Sequence, residues 1–154
     1  MRRYLLSLIL LLPLALAGCG SSDEPTTPTQ PSTPSPQGPA TLQLTDLVVG
    51  TGSGLGATST VIVHYDLWLY DPAGTDSKGA KVDSSRDRGS PYTFRLGTNA
   101  VIPGFEQTIN SMLIGGKRRS IVPPSLAYGA TGNGSSVPPN TWLVFEIELL
   151  TATN

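Results

Sequence analysis

The sequence predicts an α+β domain in which a curved antiparallel sheet covers one short helix. From residue 61 to residue 70, apolar side chains occupy every second position. The same alternation returns near the C-terminus, at Leu143, Phe145, Ile147 and Leu149. Side chains two residues apart share one face of a strand, so each segment predicts a half-buried strand. Shorter β-rich runs, which bring the total to about five strands, lie at 42–49, 92–96 and 118–122.

One amphipathic helix is predicted after Pro103-Gly104. Apolar residues follow at the i, i+4, i+7 and i+8 positions of a single helix face, at Phe105, Ile109, Met112 and Leu113. The pair Gly115-Gly116 then ends the pattern, because glycine favours helix termination. This apolar face and the apolar face of the sheet can bury each other, which gives the predicted class.

Composition excludes several functions. The chain has 154 residues, enough for one ordinary domain, and its 17 Gly and 14 Pro disfavour a helical bundle. With 10 basic and 11 acidic residues there is no positive excess to hold a nucleic acid. One Cys and one His exclude an intramolecular disulfide, a Cys-based zinc site and a His-pair metal motif.

Residues 1–18 are predicted to be a lipoprotein signal peptide. Arg2 and Arg3 precede an uncharged run, 4–17, of signal-peptide length, and the sequence Leu16-Ala17-Gly18-Cys19 resembles a bacterial lipobox. Cys19 would then be lipidated and tether the chain to a membrane of the bacterial cell envelope. Gly20 rather than Asp after Cys19 is compatible with the outer membrane, facing the periplasm. The alternative is an ordinary secretory signal with a chance Cys.

The next segment, residues 19–40, is predicted to be a linker. Positions 20–40 contain six prolines and no aromatic or β-branched aliphatic residue. Such a composition cannot bury enough apolar surface to offset its ordering entropy, so we expect a disordered stalk. The functional domain is therefore assigned to residues 41–154.

Three further sequence features could indicate a catalytic base, a phosphate loop or a functional basic patch, but each has a simpler structural explanation. His64 lies on a strand with no evident Ser and carboxylate partners, which favours a satisfied strand residue over a catalytic base. The glycine-rich run 129–134 is followed by Pro138-Pro139, which cannot open the helix that a phosphate loop needs. The triplet Lys117-Arg118-Arg119 is most simply a solvated face.

What remains is a set of aromatic and aliphatic residues suited to an apolar binding cleft. The sequence in which they occur closely resembles FKBP-type peptidyl-prolyl cis-trans isomerases over nearly all of residues 41–150. The resembling segments, in the family's order, are VHY at 63–65, VDSSRDR at 82–88, YTF at 92–94, LG at 96–97, VIPGFE at 101–106, AYGATG at 127–132, and VPPNT at 137–141 through LVFEIELL at 143–150.

The resemblance implies a five- to six-stranded antiparallel half-barrel around one short helix, and a pocket for a prolyl ring. It implies a floor at Phe105, a polar wall at Asp83, and a backbone N–H of Ile102 and a hydroxyl of Tyr128 that bind carbonyls. Asp83, Tyr128, Phe105, Tyr65 and Phe145 would be catalytic. The implied substrate-binding set is Tyr65, Val82, Asp83, Arg88, Tyr92, Val101, Ile102, Phe105, Tyr128, Val137 and Phe145.

The residues alone leave alternatives open. Phe105 and Phe145 would otherwise be core residues, and Asp83 an Asx turn or loop ion pair. For Tyr65, a phenol on an apolar face makes a pocket wall and a satisfied core position equally acceptable.

The implied function is isomerisation of X-Pro bonds in exported proteins by noncovalent desolvation and twisting of the prolyl amide. Expected partners are X-Pro-containing polypeptides, unfolded exported proteins and macrolides of the rapamycin type, with a monomeric protein and no metal, cofactor or nucleic acid. One alternative is a tethered, chaperone-like binding module that uses the same pocket with little turnover. A weaker alternative is a surface adhesion or infectivity factor.

The chain also departs from the family pattern. Val82 and Phe105 stand where the family often has larger aromatics, and Ser136 where an aliphatic is usual, so activity and macrolide affinity are expected to be reduced. The segment between Tyr65 and Asp83 is longer than usual and rich in turn residues. It favours a tolerated surface insertion over a lengthened hairpin that extends the binding surface.

Overall fold

The structure, a computed structural model, describes residues 36–153. The predicted signal peptide, Cys19 and the linker up to residue 35 lie outside these described residues. Within them the elements, in chain order, are β1 (Gln43–Val48), β2 (Thr60–Tyr70), β3 (Lys78–Ser84), β4 (Tyr92–Arg95), α1 (Pro103–Ile109), β5 (Lys117–Val122) and β6 (Leu143–Thr153). Short 3-10 turns occupy Thr75–Ser77 and Pro124–Leu126. This part of the chain contains no helix with the length and apolar character needed to span a bilayer.

The six strands form one antiparallel sheet in the order β1-β5-β6-β2-β3. On the side of β2 away from β6, β4 pairs with residues 60–63 and β3 with residues 66–70. Two different strands therefore continue the sheet past β2. The predicted α+β class, an antiparallel sheet with one short helix, is confirmed.

The core lies between α1 and the inward faces of β2 and β6. The alternation seen in the sequence is confirmed in both strands, because the side chains that it places inward are buried, except that Tyr65 and Leu69 are only partly so. From the helix, Phe105 and Ile109 complete the same cluster. The buried inward side chains of the two strands are Val61, Val63, Leu67, Leu143, Phe145, Ile147 and Leu149.

The helix is shorter than predicted. It ends at Ile109, and Ser111 has a positive φ of 65°, so the periodicity does not continue to Gly115. Met112 is still buried, but Leu113 is 38% exposed. The reason lies outside the local sequence. In a further helical turn the carbonyls of Thr108 and Asn110 would accept hydrogen bonds from backbone N–H groups, but here both accept from Arg118.

The basic triplet is not the solvated face that its composition predicts. Arg118 is only 8% exposed and pairs with Asp46 of β1, while Arg119 pairs with Glu146 of the neighbouring strand. Strand alternation turns the middle side chain of the triplet inward, where backbone carbonyls and a carboxylate satisfy its donors.

The segment between Tyr65 and Asp83 forms a hairpin, in which β2 continues to Tyr70 and β3 returns along it. Trp68 is half-buried, and the Lys78 ammonium lies 4.5 Å from its ring centroid. This indole is thus already covered by a cation of its own hairpin.

The folded unit begins before the predicted boundary at residue 41. The indole N–H of Trp142 donates a hydrogen bond of 2.8 Å to the carbonyl of Pro39. Gly38 lies against the same ring, where an added Cβ would come within 2.7 Å of a ring carbon. These two residues, placed in the linker by composition, are therefore docked on the domain.

Candidate active site

A solvent-open cavity of about 410 Å³ lies where the N-terminal end of α1 meets the inward face of the sheet. Its volume falls within the range of small-ligand sites. The lining comes from β2, β3, β4, the loop before α1, α1 itself, the segment after β5, and β6. The lining residues are Tyr65, Leu67, Asp83, Tyr92, Asn99, Ala100, Val101, Ile102, Phe105, Tyr128 and Phe145.

Phe105 forms the floor of this cavity. It follows the N1 proline of α1 by two residues and is 4% exposed. Its ring makes edge-to-face contacts with Tyr65 and Phe145, at centroid distances of 5.4 and 5.3 Å. Phe94 supports it from below at 5.7 Å. Such contacts favour one arrangement of the rings, so the floor has a defined shape.

The polar wall consists of Tyr65 and Asp83, and Arg88 binds to both of them. The Tyr65 hydroxyl donates a 2.6 Å hydrogen bond to Asp83 Oδ2, and Arg88 donates to that hydroxyl at 2.8 Å. Arg88 also forms an ion pair with the Asp83 carboxylate. The Ser84 backbone N–H donates to the remaining Asp83 oxygen at 2.7 Å. All of these contacts hold the carboxylate in one orientation at the edge of an apolar cavity.

Tyr65 keeps its proton throughout the physiological range. Burial, and then the hydrogen bond to Asp83, raise the pKa of its phenol above the ordinary value of about 10. The phenol is therefore a hydrogen-bond donor to Asp83. With the carboxylate already bound by a phenol and a guanidinium, the wall has no free base for proton transfer.

Two polar groups at the cavity remain available to a ligand. Within residues 36–153, the backbone N–H of Ile102 and the hydroxyl of Tyr128 have no hydrogen-bond partner. Ile102 is the N-cap of α1, and its carbonyl accepts from the Phe105 N–H at 3.0 Å. Unlike the groups of the polar wall, the Ile102 N–H and the Tyr128 hydroxyl can therefore donate hydrogen bonds to a ligand.

The structure brings most of the residues predicted for the site together. Around the cavity lie Tyr65, Asp83, Tyr92, Val101, Ile102, Phe105, Tyr128 and Phe145. Three others do not line it. Val82 packs against the core, Val137 is buried, and Arg88 reaches the site only through Tyr65 and Asp83. Ser136 is exposed and also outside the lining, so of Val82, Phe105 and Ser136 only Phe105 lines the cavity.

Sequence reasoning missed three lining residues, Leu67, Asn99 and Ala100. Leu67 could have been found, because it lies two residues beyond Tyr65 on the same strand face. Asn99 has a left-handed backbone, φ 56°, which allows the loop to turn into α1. No periodic pattern marks such a loop position.

The one histidine is satisfied within the sheet. His64 Nδ1 lies 3.0 Å from the Ser85 hydroxyl, which also accepts from the Tyr65 backbone N–H at 2.8 Å. His64 is outside the cavity lining. Across the described range, 36–153, no group of three or more His, Cys, Asp or Glu side chains is placed to hold a metal ion.

Comparison with known proteins agrees with this geometry. Residues 53–150 match the family model described as FKBP-type peptidyl-prolyl cis-trans isomerase. FK506-binding protein 2 of Dictyostelium discoideum is 43% identical over 88 residues, which span 57% of this chain and 61% of that protein. The FK506-binding protein of Neisseria meningitidis serogroup A is 39% identical over 109 residues, 71% of this chain and 94% of that protein.

A solved structure gives the same result for the fold. The crystal structure of AtFKBP13 superposes with a TM-score of 0.63 at 36% sequence identity, over 73% of this chain and 93% of that one. The six-stranded antiparallel sheet with one short helix matches the fold of this FKBP-type structure. The chain belongs to the FKBP family, and its domain is of the peptidyl-prolyl cis-trans isomerase type.

Proposed function

We propose that this protein accelerates X-Pro isomerisation in the cavity floored by Phe105, without covalent chemistry. The observation that carries the proposal is a solvent-open, ring-lined cavity at which a free N–H and a free hydroxyl remain for the substrate. An apolar cleft suits a prolyl ring, and two donors suit the carbonyls beside it.

The chemistry follows from amide resonance. A peptide C–N bond resists rotation by roughly 18–20 kcal/mol because resonance gives it double-bond character. The planar amide is more polar than the twisted transition state, which has lost that resonance. Moving the bond from water into an apolar cavity therefore disfavours the planar state more, and the barrier falls. Hydrogen bonds from Ile102 and Tyr128 would hold the substrate in a pose that permits the twist.

We assign Asp83 a structural role in the polar wall. Its carboxylate is occupied by Tyr65 and Arg88, so its role is to fix the phenol and present a constant negative edge, not to move a proton. Phe105, Tyr65 and Phe145 supply the apolar surface that excludes water. The same surface would bind a macrolide of the rapamycin type, since relatives of this chain are FK506-binding proteins.

Asp83→Ala tests the proposal. Loss of the charge-assisted hydrogen bonds frees the Tyr65 ring, and kcat/KM for a proline peptide is expected to fall about tenfold, equivalent to about 1.4 kcal/mol. A protease-coupled isomerisation assay measures this. Asp87→Ala is the matched control, because Asp87 is exposed and pairs with Lys81 away from the cavity. A rapamycin-type macrolide should inhibit the unsubstituted protein competitively. Failure of that protein to accelerate isomerisation would contradict the proposal.

We further propose that the mature protein is a monomer, lipid-anchored through Cys19 in the bacterial outer membrane, where it acts on exported proteins in the periplasm. The signal-like N-terminus, the sequence Leu16-Ala17-Gly18-Cys19 and the proline-rich linker support this proposal. Uncatalysed prolyl isomerisation takes tens of seconds, long enough to limit folding of a newly exported chain.

Cys19→Ser tests the anchor. Without the thiol no lipid can be attached, so the protein is expected to move from the membrane fraction to the soluble fraction of cells that express it. Immunoblotting of fractionated cells measures the distribution, with Ser21→Ala as a neighbouring control. Unchanged membrane association of the Cys19 variant would exclude lipidation at this residue as the anchor.

A further inference from the structure

Arg118 is a buried cation whose contacts all lead to helix α1 or its support. Its Nη1 donates to the carbonyls of Thr108 and Asn110, at 3.1 and 2.9 Å. Its Nε donates to Asp46 Oδ1 of β1 at 2.5 Å. Arg118 does not line the cavity. A guanidinium thus occupies the C-terminal carbonyls of the helix, where a positive charge is favourable.

The helix depends on such external contacts. With seven residues it is too short to be stable alone, and its N-cap, Ile102, provides no side-chain hydrogen bond. On the face toward β5, the Thr108 hydroxyl bonds the Gly104 carbonyl at 2.7 Å and the Ser120 hydroxyl at 2.8 Å. The polar contacts with β5 therefore fix the C-terminal half, while the N-terminal half presents Ile102 and Phe105 to the cavity.

We propose that Arg118 is a positioning residue of the isomerase. By holding the C-terminal end of α1 against β5, it sets where the opposite end of this short helix places the Phe105 ring and the Ile102 N–H. A rigid turn transmits a displacement from Thr108 to Phe105, and a shift of about 1 Å at a reacting site can cost about a hundredfold in rate. Asp46 completes the arrangement by fixing the other edge of the guanidinium. The inference rests on the proposed isomerase activity.

Arg118→Met in the full chain provides the test. Methionine keeps the apolar stem but leaves both helix carbonyls without the guanidinium donor, so kcat is expected to fall at least tenfold. KM for the proline peptide should rise less than kcat falls, because every side chain that lines the cavity is still present. Arg118→Lys should recover part of the loss, since an ammonium can reach a carbonyl but lacks the planar fork. Asp46→Ala keeps both carbonyl bonds and should lower kcat less than threefold.

A spectroscopic measurement separates positioning from general stability. The chain has only three phenylalanines, Phe94, Phe105 and Phe145, so labelling with 4-fluorophenylalanine gives three assignable resonances. Arg118→Met should shift or broaden the Phe105 resonance most. Val144→Ala is the control for stability, because Val144 is fully buried but lies outside the core cluster around Phe105. It should leave kcat and the Phe105 resonance unchanged.

The outcomes are distinguishable. No isomerisation by the unsubstituted protein would overturn the proposed function. An active protein in which Arg118→Met behaves like Val144→Ala, in kcat and in the Phe105 resonance, would overturn this inference alone. A fall in kcat with an unmoved Phe105 resonance would also overturn it.

Discussion

Replacing Phe105 with alanine is expected to abolish measurable isomerase activity and to lower the free energy of unfolding by about 3–5 kcal/mol. The ring is almost fully buried and contacts three other aromatic rings, so its removal leaves a cavity that they can fill only partly. The substrate loses its apolar floor at the same time. Urea unfolding followed by circular dichroism gives the stability change, and the protease-coupled assay gives the activity.

Phe105→Leu separates the two effects. Leucine retains much of the volume, so the variant should be folded at assay temperature, yet it lacks the flat ring surface and should lose most of kcat/KM. Phe94→Leu is the matched control: Phe94 is as well buried and contacts Phe105, but it does not line the cavity. Full activity of Phe105→Leu would show that the floor does not require a ring.

Stability is expected to fall by about 3 kcal/mol as the pH decreases from about 4.5 to 2, through protonation of Glu146. Its carboxylate is 8% exposed and binds Lys78 at 2.6 Å, Lys117 at 2.9 Å and Arg119 at 2.9 Å. Burial alone would raise the pKa of this carboxyl. The three cations outweigh it and lower the pKa from 4.5 to about 2.

The direction of the pH dependence of stability follows from the lowered pKa of Glu146. A carboxyl with a lower pKa in the folded state stabilises the fold above its unfolded pKa, and that contribution disappears as the pH falls through the folded pKa. Glu146→Gln should therefore be destabilised at pH 7, and its deficit relative to the unsubstituted protein should shrink toward pH 2. Unfolding curves across this range measure the difference.

Glu148→Gln is the comparison, because Glu148 lies two residues along the same strand and its pair with Arg86 is much more exposed than the Glu146 carboxylate. It should cost less than about 1 kcal/mol at any pH. A deficit of Glu146→Gln that does not depend on pH would assign the effect to packing rather than charge.

The alternation of apolar and polar residues along the sequence was sufficient to predict the strands that bury one face. The alternation in β2 and β6 predicts both the strands and their buried faces, because burial on one side of a sheet has a period of two. The end of α1 could not be predicted this way. It depends on Arg118, which lies after the helix in the chain and carries no sequence signal of where the helix ends. Arg118 reaches the Thr108 carbonyl only because β5 pairs with the rest of the sheet.

The site divides similarly. Its aromatic walls could be predicted, because Tyr65 and Phe145 lie on strand faces and the resemblance to the family assigned them to the pocket. The lining by Asn99 and Ala100 depends on a loop conformation that no periodicity encodes. The strand β3, within a turn-rich sequence, forms because β2 continues far enough to pair with it.

Strand β1 would be the first part of this domain to yield under mechanical tension. All six of its residues are exposed, and it is joined to the sheet by one ladder, with β5, and by the ion pair of Asp46 with Arg118. A pull on the N-terminal side of the chain would first detach Pro39 from Trp142 and then unzip β1 from Gln43 onward. Every residue that lines the cavity comes at or after Tyr65 in the chain. Detachment of β1 would thus remove no wall or floor residue, and the one contact it would take from their support is that of Asp46 with Arg118.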